Sequence, residues 1–130
     1  MALHFELVSP ARLLFSGDVA SVIIPGTEGE MTIMPNHAPV LSTLRPGYVT
    51  VAKAGGAREK IFVRGGFAEV NAKGLIVLAE TAIPMAELDA SAMSAQIKSA
   101  EDEVAAAKDD ESKRKALENV EYLKGLQAGL

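Results

Sequence analysis

The chain has no cysteine and no tryptophan among its 130 residues. Without thiols there is no disulfide framework, no thiolate zinc site and no cysteine nucleophile, and the chain suits a reducing compartment. No apolar run approaches the roughly 18 residues that a membrane-crossing helix needs. The opening Met1-Ala2-Leu3-His4-Phe5-Glu6 shows no basic stretch leading into an apolar one, so no signal peptide is expected. A basic stripe is missing too. Residues 1–85 carry seven Lys/Arg against seven Asp/Glu, and residues 86–130 carry six against ten, which places the whole net charge of −4 in the tail. A phosphate backbone has nothing to bind, so nucleic acid is not an expected partner. Metal chemistry is equally poorly supplied, since His4 and His37 are the only histidines.

What is present divides in two. Hydrophobic residues make up 48% of the chain, enough for a real core. Up to residue 85 they come in short runs. Leu3, Phe5 and Leu7 alternate with His4 and Glu6, the period of a half-buried strand. Arg12–Phe15, Val19–Ile24, Met31–Met34, Tyr48–Ala52, Lys60–Arg64, Phe67–Val70 and Leu75–Ala79 follow. Turn formers separate them: Ser16-Gly17-Asp18, Pro25-Gly26, Pro46-Gly47, Gly55-Gly56, Gly65-Gly66 and Lys73-Gly74. This pattern predicts an antiparallel sandwich or barrel over residues 1–85.

From residue 86 proline disappears and glycine remains only at Gly125 and Gly129. Met93, Ile97, Ala100, Val104 and Ala107 recur at steps of three and four, the stripe of one helix, with Asp89 as its N-cap. Ala116, Val120, Leu123 and Gln127 form a second stripe, flanked by Leu117 and Leu126. The polar break Lys108–Ser112 predicts a short link and an antiparallel hairpin over residues 86–130. Its seam is mostly alanine. Burial contributes about 0.8 kcal/mol per carbon against about 1–2 kcal/mol of backbone entropy per ordered residue. The hairpin is therefore expected to be marginal by itself.

The residues offer little catalytic chemistry. His4 reads as a solvent-side strand residue and His37 as part of a polar turn. Glu28 and Glu30, around Gly29, read as a solvated loop rather than an acid–base pair. Ser16, Ser21 and Ser42 lack a nucleophile elbow, and the glycines do not open a helix to cradle phosphate.

The stretch Pro25-Gly26-Thr27-Glu28-Gly29-Glu30-Met31-Thr32-Ile33-Met34-Pro35-Asn36-His37-Ala38-Pro39 closely resembles the signature PGxEGELGILPGHAP of ATP synthase epsilon subunits (delta in mitochondria). Leu7-Val8-Ser9-Pro10, Leu14-Phe15-Ser16-Gly17, Pro46-Gly47, Gly65-Gly66-Phe67-Ala68-Glu69-Val70 and Val77-Leu78-Ala79-Glu80-Thr81-Ala82 match in the same order, so the likeness spans most of residues 5–89.

The resemblance implies a non-catalytic rotor subunit of the bacterial F-type synthase, peripheral on the cytoplasmic face of the inner membrane. Its fold would be an antiparallel β-sandwich of about ten strands followed by a two-helix hairpin. The sandwich would bind the gamma subunit and rest on the c-ring through loops carrying Glu28, Glu30 and His37. An extended tail would reach the alpha and beta subunits of the catalytic head through Lys113, Arg114, Lys115 and Lys124.

Three positions depart from the family pattern. Thr32 and Asn36 replace glycines. Ala92 stands where some members have an arginine that helps bind ATP, which leaves Leu88 and Asp89 of that motif, with Asp89 its only charged group, so no cofactor is expected and ATP binding should be weak or absent. A ligand- or carbohydrate-binding sandwich with a helical appendage is the alternative reading. It would want aromatic residues lining a groove, and the chain has only Phe5, Phe15, Phe62, Phe67, Tyr48 and Tyr122.

Overall fold

A computed structural model describes residues 2–129. Its internal contacts divide the chain between Met85 and Ala86.

The first unit contains eight strands: β1 (Leu3–Val8), β2 (Leu13–Val19), β3 (Ser21–Gly26), β4 (Gly29–Ile33), β5 (Val40–Thr43), β6 (Gly47–Ala52), β7 (Arg58–Asn71) and β8 (Gly74–Pro84). They follow the hydrogen-bonded order β2-β1-β8-β7-β6-β3-β4, with β5 paired to β7. All pairs are antiparallel except β1 with β8, which is parallel. This pair departs from the all-antiparallel expectation.

The expected ten strands become eight because two long strands each serve both layers. Residues 58–63 of β7 pair with β6, whereas residues 67–70 pair with β5, and β8 runs beside both halves. Gly65 and Gly66, expected to end a strand, instead bend one. Both have positive φ, and a Cβ on Gly66 would collide with the carbonyl oxygen of Leu78. Glycine lets the two backbones touch at the fold line. A second correction lies at Ala20. The run Val19–Ile24 is split there, where the chain leaves β2 for β3 and Ala20 N donates to Ala52 O at 2.8 Å.

Alternating side chains of both layers meet in one core, with Phe5, Leu7, Ile24, Ile33, Ile61 and Val77 among its most buried members. Each such side chain contributes about 1.5–3 kcal/mol over its exposed state. The hairpin of β3 and β4 is tied to β5 by the Gly26–Leu44 bridge and by Thr27 N donating to Thr43 O at 2.9 Å.

The two substituted glycines resolve simply. Thr32 lies within β4, where a β-branched residue fits the extended backbone. Asn36 takes φ 65, the one positive-φ non-glycine among the described residues, and asparagine tolerates that region best after glycine.

The second unit comprises α1 (Ala90–Ala106) and α2 (Asp110–Ala128). Asp89 caps α1, its Oδ1 accepting from Ala92 N at 2.7 Å. Asp109 caps α2 through Ser112 N at 2.7 Å. These aspartates satisfy amides that a helix start leaves unpaired. Met93, Ile97 and Ala100 on α1 and Ala116, Val120 and Leu123 on α2 are buried, and Gln127 Nε2 donates to Ser94 Oγ at 3.2 Å across the pair.

Candidate docking surfaces

Strand register builds a continuous apolar row on the outer face of the β2-β1-β8-β7-β5 layer. Leu13 pairs with Val8, Val8 with Leu78, Leu78 with Phe67, and Phe67 with Thr43. Leu41, two residues from Thr43 on the same side of β5, extends the patch. Leu13 is 59%, Leu41 67% and Phe67 37% exposed. Val8, Pro10, Phe67, Leu78 and Ala79 also line a shallow groove there. Apolar side chains aligned across β2, β1, β8 and β7, with Leu41 offset from the line on β5, form a patch of the kind that marks a contact surface.

The sequence carries one local signal of this row. Leu75-Ile76-Val77-Leu78 is apolar at both alternations, and a strand that is apolar on both sides has both faces to cover.

The loop residues singled out from sequence occupy the margin of the other layer. Glu28 sits exposed in the turn that opens β4. Glu30 is not in the loop, as expected, but on β4 itself, paired with Pro25, because Gly29 already begins the strand. His37 lies in the loop beyond the opposite end of β4. The acids and His37 therefore bracket a strand of about 17 Å rather than sharing one tip. Among the described residues β4 pairs with no strand but β3, so its other edge carries no strand.

His37 has a defined tautomer when neutral. Its Nδ1 lies 2.7 Å from the carbonyl oxygen of Ala38, which can only accept, so Nδ1 carries the hydrogen and Nε2 is left as an acceptor.

A cleft of about 310 Å³ opens beside it, lined among others by His4, Asp18, Asn36, His37 and Lys73. His4 has Glu6 at 3.4 Å on one ring nitrogen and Asp18 at 3.3 Å on the other. The hydrogen bond to Glu6, then that to Asp18, raises the His4 pKa above its ordinary value. Lys73 has no ion-pair partner among the described residues.

No three His, Asp or Glu side chains among the described residues stand close enough to hold a metal ion. Among the described residues no helix is long and apolar enough to cross a membrane.

In the hairpin the basic candidates are dispersed. Arg114 Nη1 donates to Glu118 Oε1 at 2.7 Å and Lys115 stands 3.6 Å from Glu111, while Lys113 and Lys124 are exposed. The Asp89 carboxylate is occupied by its own helix, and Ala92 supplies it no cation.

The model of the beta-sandwich domain of the ATP synthase delta/epsilon chain matches residues 2–85. The ATP synthase epsilon chain of Parvibaculum lavamentivorans is 56% identical over 125 residues, which cover 96% of this chain and 95% of that protein. The Maricaulis maris epsilon chain is 45% identical, over 97% of this chain and 94% of its own. In fold, the chain is similar to one in the cryo-EM structure of the Euglena gracilis mitochondrial ATP synthase (OSCP/F1/c-ring). The TM-score is 0.74 and the identity 24%, covering 98% of this chain and 81% of that one. A family model matched over more than half the length, with relatives of nearly equal length, shows that this chain belongs to the ATP synthase delta/epsilon chain family.

Proposed function

We propose that this chain is a non-catalytic central-stalk subunit of a proton-translocating F-type ATP synthase, lying peripherally on the cytoplasmic side of the bacterial inner membrane. Its sandwich grips the gamma subunit through the apolar row and rests on the c-ring along the free edge of β4, where Glu28, Glu30 and His37 stand. The observation that carries the reading is the row itself, with Leu13, Leu41 and Phe67 left exposed on a rigid, hydrogen-bonded sheet. A coupling part needs firm contacts on two sides, and polar loop tips beside a rigid layer supply the second.

The test is Phe67→Glu in the reconstituted synthase. ATP-driven proton pumping should fall to background while the catalytic head goes on hydrolysing ATP. Full coupling with this charge in the middle of the row would overturn the reading.

The hairpin is the regulatory arm in this reading, opening toward the alpha and beta subunits with Lys113, Arg114, Lys115 and Lys124 as its basic contacts. Its nucleotide affinity is weak or absent, because an ATP phosphate would find no arginine beside Asp89. Each missing charge-assisted bond costs about 1.5–3 kcal/mol. Truncation after Pro84 should raise ATP hydrolysis while proton coupling persists. Unchanged hydrolysis would remove the regulatory role and leave the coupling role standing.

A further inference from the structure

The apolar row is framed by carboxylates on both sides. Toward the cleft, Glu6 and Glu69 flank Ile76 in the neighbouring line of cross-strand partners, two residues along their strands from Val8 and Phe67. On the far side Glu80 stands two residues beyond Leu78 on the same face of β8. Its carboxylate lies over Gly65, in space that a side chain there would fill. Two residues of strand span about 7 Å, so the acids stand about 14 Å apart with the row between them.

These charges are differently engaged. Glu6 is held by His4. Glu69 and Glu80 make no ion pair with any described residue. Covering the row with an uncharged or acidic surface would strip water from their margins without replacing it, which is unfavourable.

We infer that the partner surface covering this row is apolar at its centre and carries lysine or arginine at both margins, with one base meeting Glu69 and another meeting Glu80. The inference rests on the reading above that this row, the shaft contact, grips the gamma subunit, and it specifies the chemistry of that subunit's contact patch. Bases on both sides also fix orientation across the row, which an apolar stripe alone leaves free to slide.

The experiment measures the dissociation constant of the full chain from a gamma subunit–c-ring subcomplex, between about 50 mM and about 500 mM salt, a range over which the screening length falls from above 10 Å to below 5 Å. The isosteric pair Glu69→Gln/Glu80→Gln should weaken binding about tenfold at low salt and flatten its salt dependence, as for two ion pairs at an interface. Glu69→Lys/Glu80→Lys should weaken it further. Phe67→Ala, which leaves both acids in place, should weaken binding with the salt dependence retained. If the glutamine pair binds as the unaltered chain does, with the same salt slope, or binds more tightly, the basic-margin inference is overturned. Should Phe67→Ala weaken binding in that case, the shaft reading survives it. If neither change matters, both fall together.

Discussion

Leu123→Ala tests whether the two units answer to separate energetics. Leu123 is fully buried, and it is one of four large side chains buried in the two helices, with Met93, Ile97 and Val120; the other buried positions, Ala100 and Ala116, contribute a methyl each. Truncating a buried leucine to alanine costs about 2–5 kcal/mol, including the cavity left behind. Helices of 17 and 19 residues are close to the length at which an isolated helix is only marginal in water. They depend on that seam and on two aspartate caps worth about 1 kcal/mol each. Losing one of four anchors removes a quarter of the large side chains holding them. The variant hairpin should open, with lower ellipticity at helical wavelengths and amides of residues 90–128 exchanging together, far faster than in the unaltered chain. Amides of β6, β7 and β8 should keep their protection, because the sandwich core draws on a separate set of residues. Binding to the gamma subunit should persist. Helical amides with unchanged protection would refute the thin-seam argument, and a parallel loss in β7 and β8 would refute the independence of the two units.

Gly66→Ala should destabilise the sandwich by about 3 kcal/mol or more in urea unfolding, since it combines a positive φ with a collision against the Leu78 carbonyl; a loss below about 1 kcal/mol would show that the fold line is not tight. Asp89→Ala should cost the hairpin about 1 kcal/mol while leaving the thermal response to added ATP unchanged, which calorimetry with and without nucleotide checks. His4 should titrate by NMR with a midpoint above that of a free histidine. Because its folded pKa is raised, the stabilisation from Glu6 and Asp18 is complete below the unfolded value of about 6.5 and is lost as pH rises through the folded value. His4→Asn should therefore lower the melting temperature at acidic pH and leave it unchanged at alkaline pH, and the reverse order would refute the assignment.

Much of the fold could be read directly because local pattern and tertiary burial agree. Leu3, Phe5 and Leu7 alternate in the sequence and point into the core. Met93, Ile97 and Ala100 keep helical spacing and are buried, and Asp89 caps as its type suggests. The ends of two strands were not legible, because one residue type has two uses. A glycine pair ends strands at hairpins, but at Gly65-Gly66 the same freedom bends a strand through both layers, a distinction set by what Leu78 and Ala79 bring alongside. β5 was missed because Val40–Thr43 is short and half polar and takes its strand form from pairing with β7. Beyond the doubly apolar Leu75–Leu78, the docking row is not legible in the sequence for a related reason. Its members come from five separate stretches, and only register places Leu13, Val8, Leu78 and Phe67 in line. Glu28, Glu30 and His37 were visible as a motif, but their separation along β4 was not.

The bend at Gly65 and Gly66 also bears on how a rotor part carries load. Phe67 and Leu78, in the middle of the docking row, lie on β7 and β8. The other halves of these strands, Arg58–Val63 and Ala82–Pro84, belong to the opposite layer, where they continue through β6 and β3 to β4 and its acids. In the proposed reading, force entering at the row would reach the β4 edge through continuous strands and ladder hydrogen bonds, without passing through a flexible loop. A close-packed core resists shear between the layers because neither can slide without opening voids among Phe5, Ile24, Ile61 and Val77. Ten separate strands, with loops at the fold line, would have placed soft connections between the two proposed contact surfaces. Eight strands, two of them shared, place peptide backbone there instead, and glycine at the fold line is what lets the two backbones pass that close.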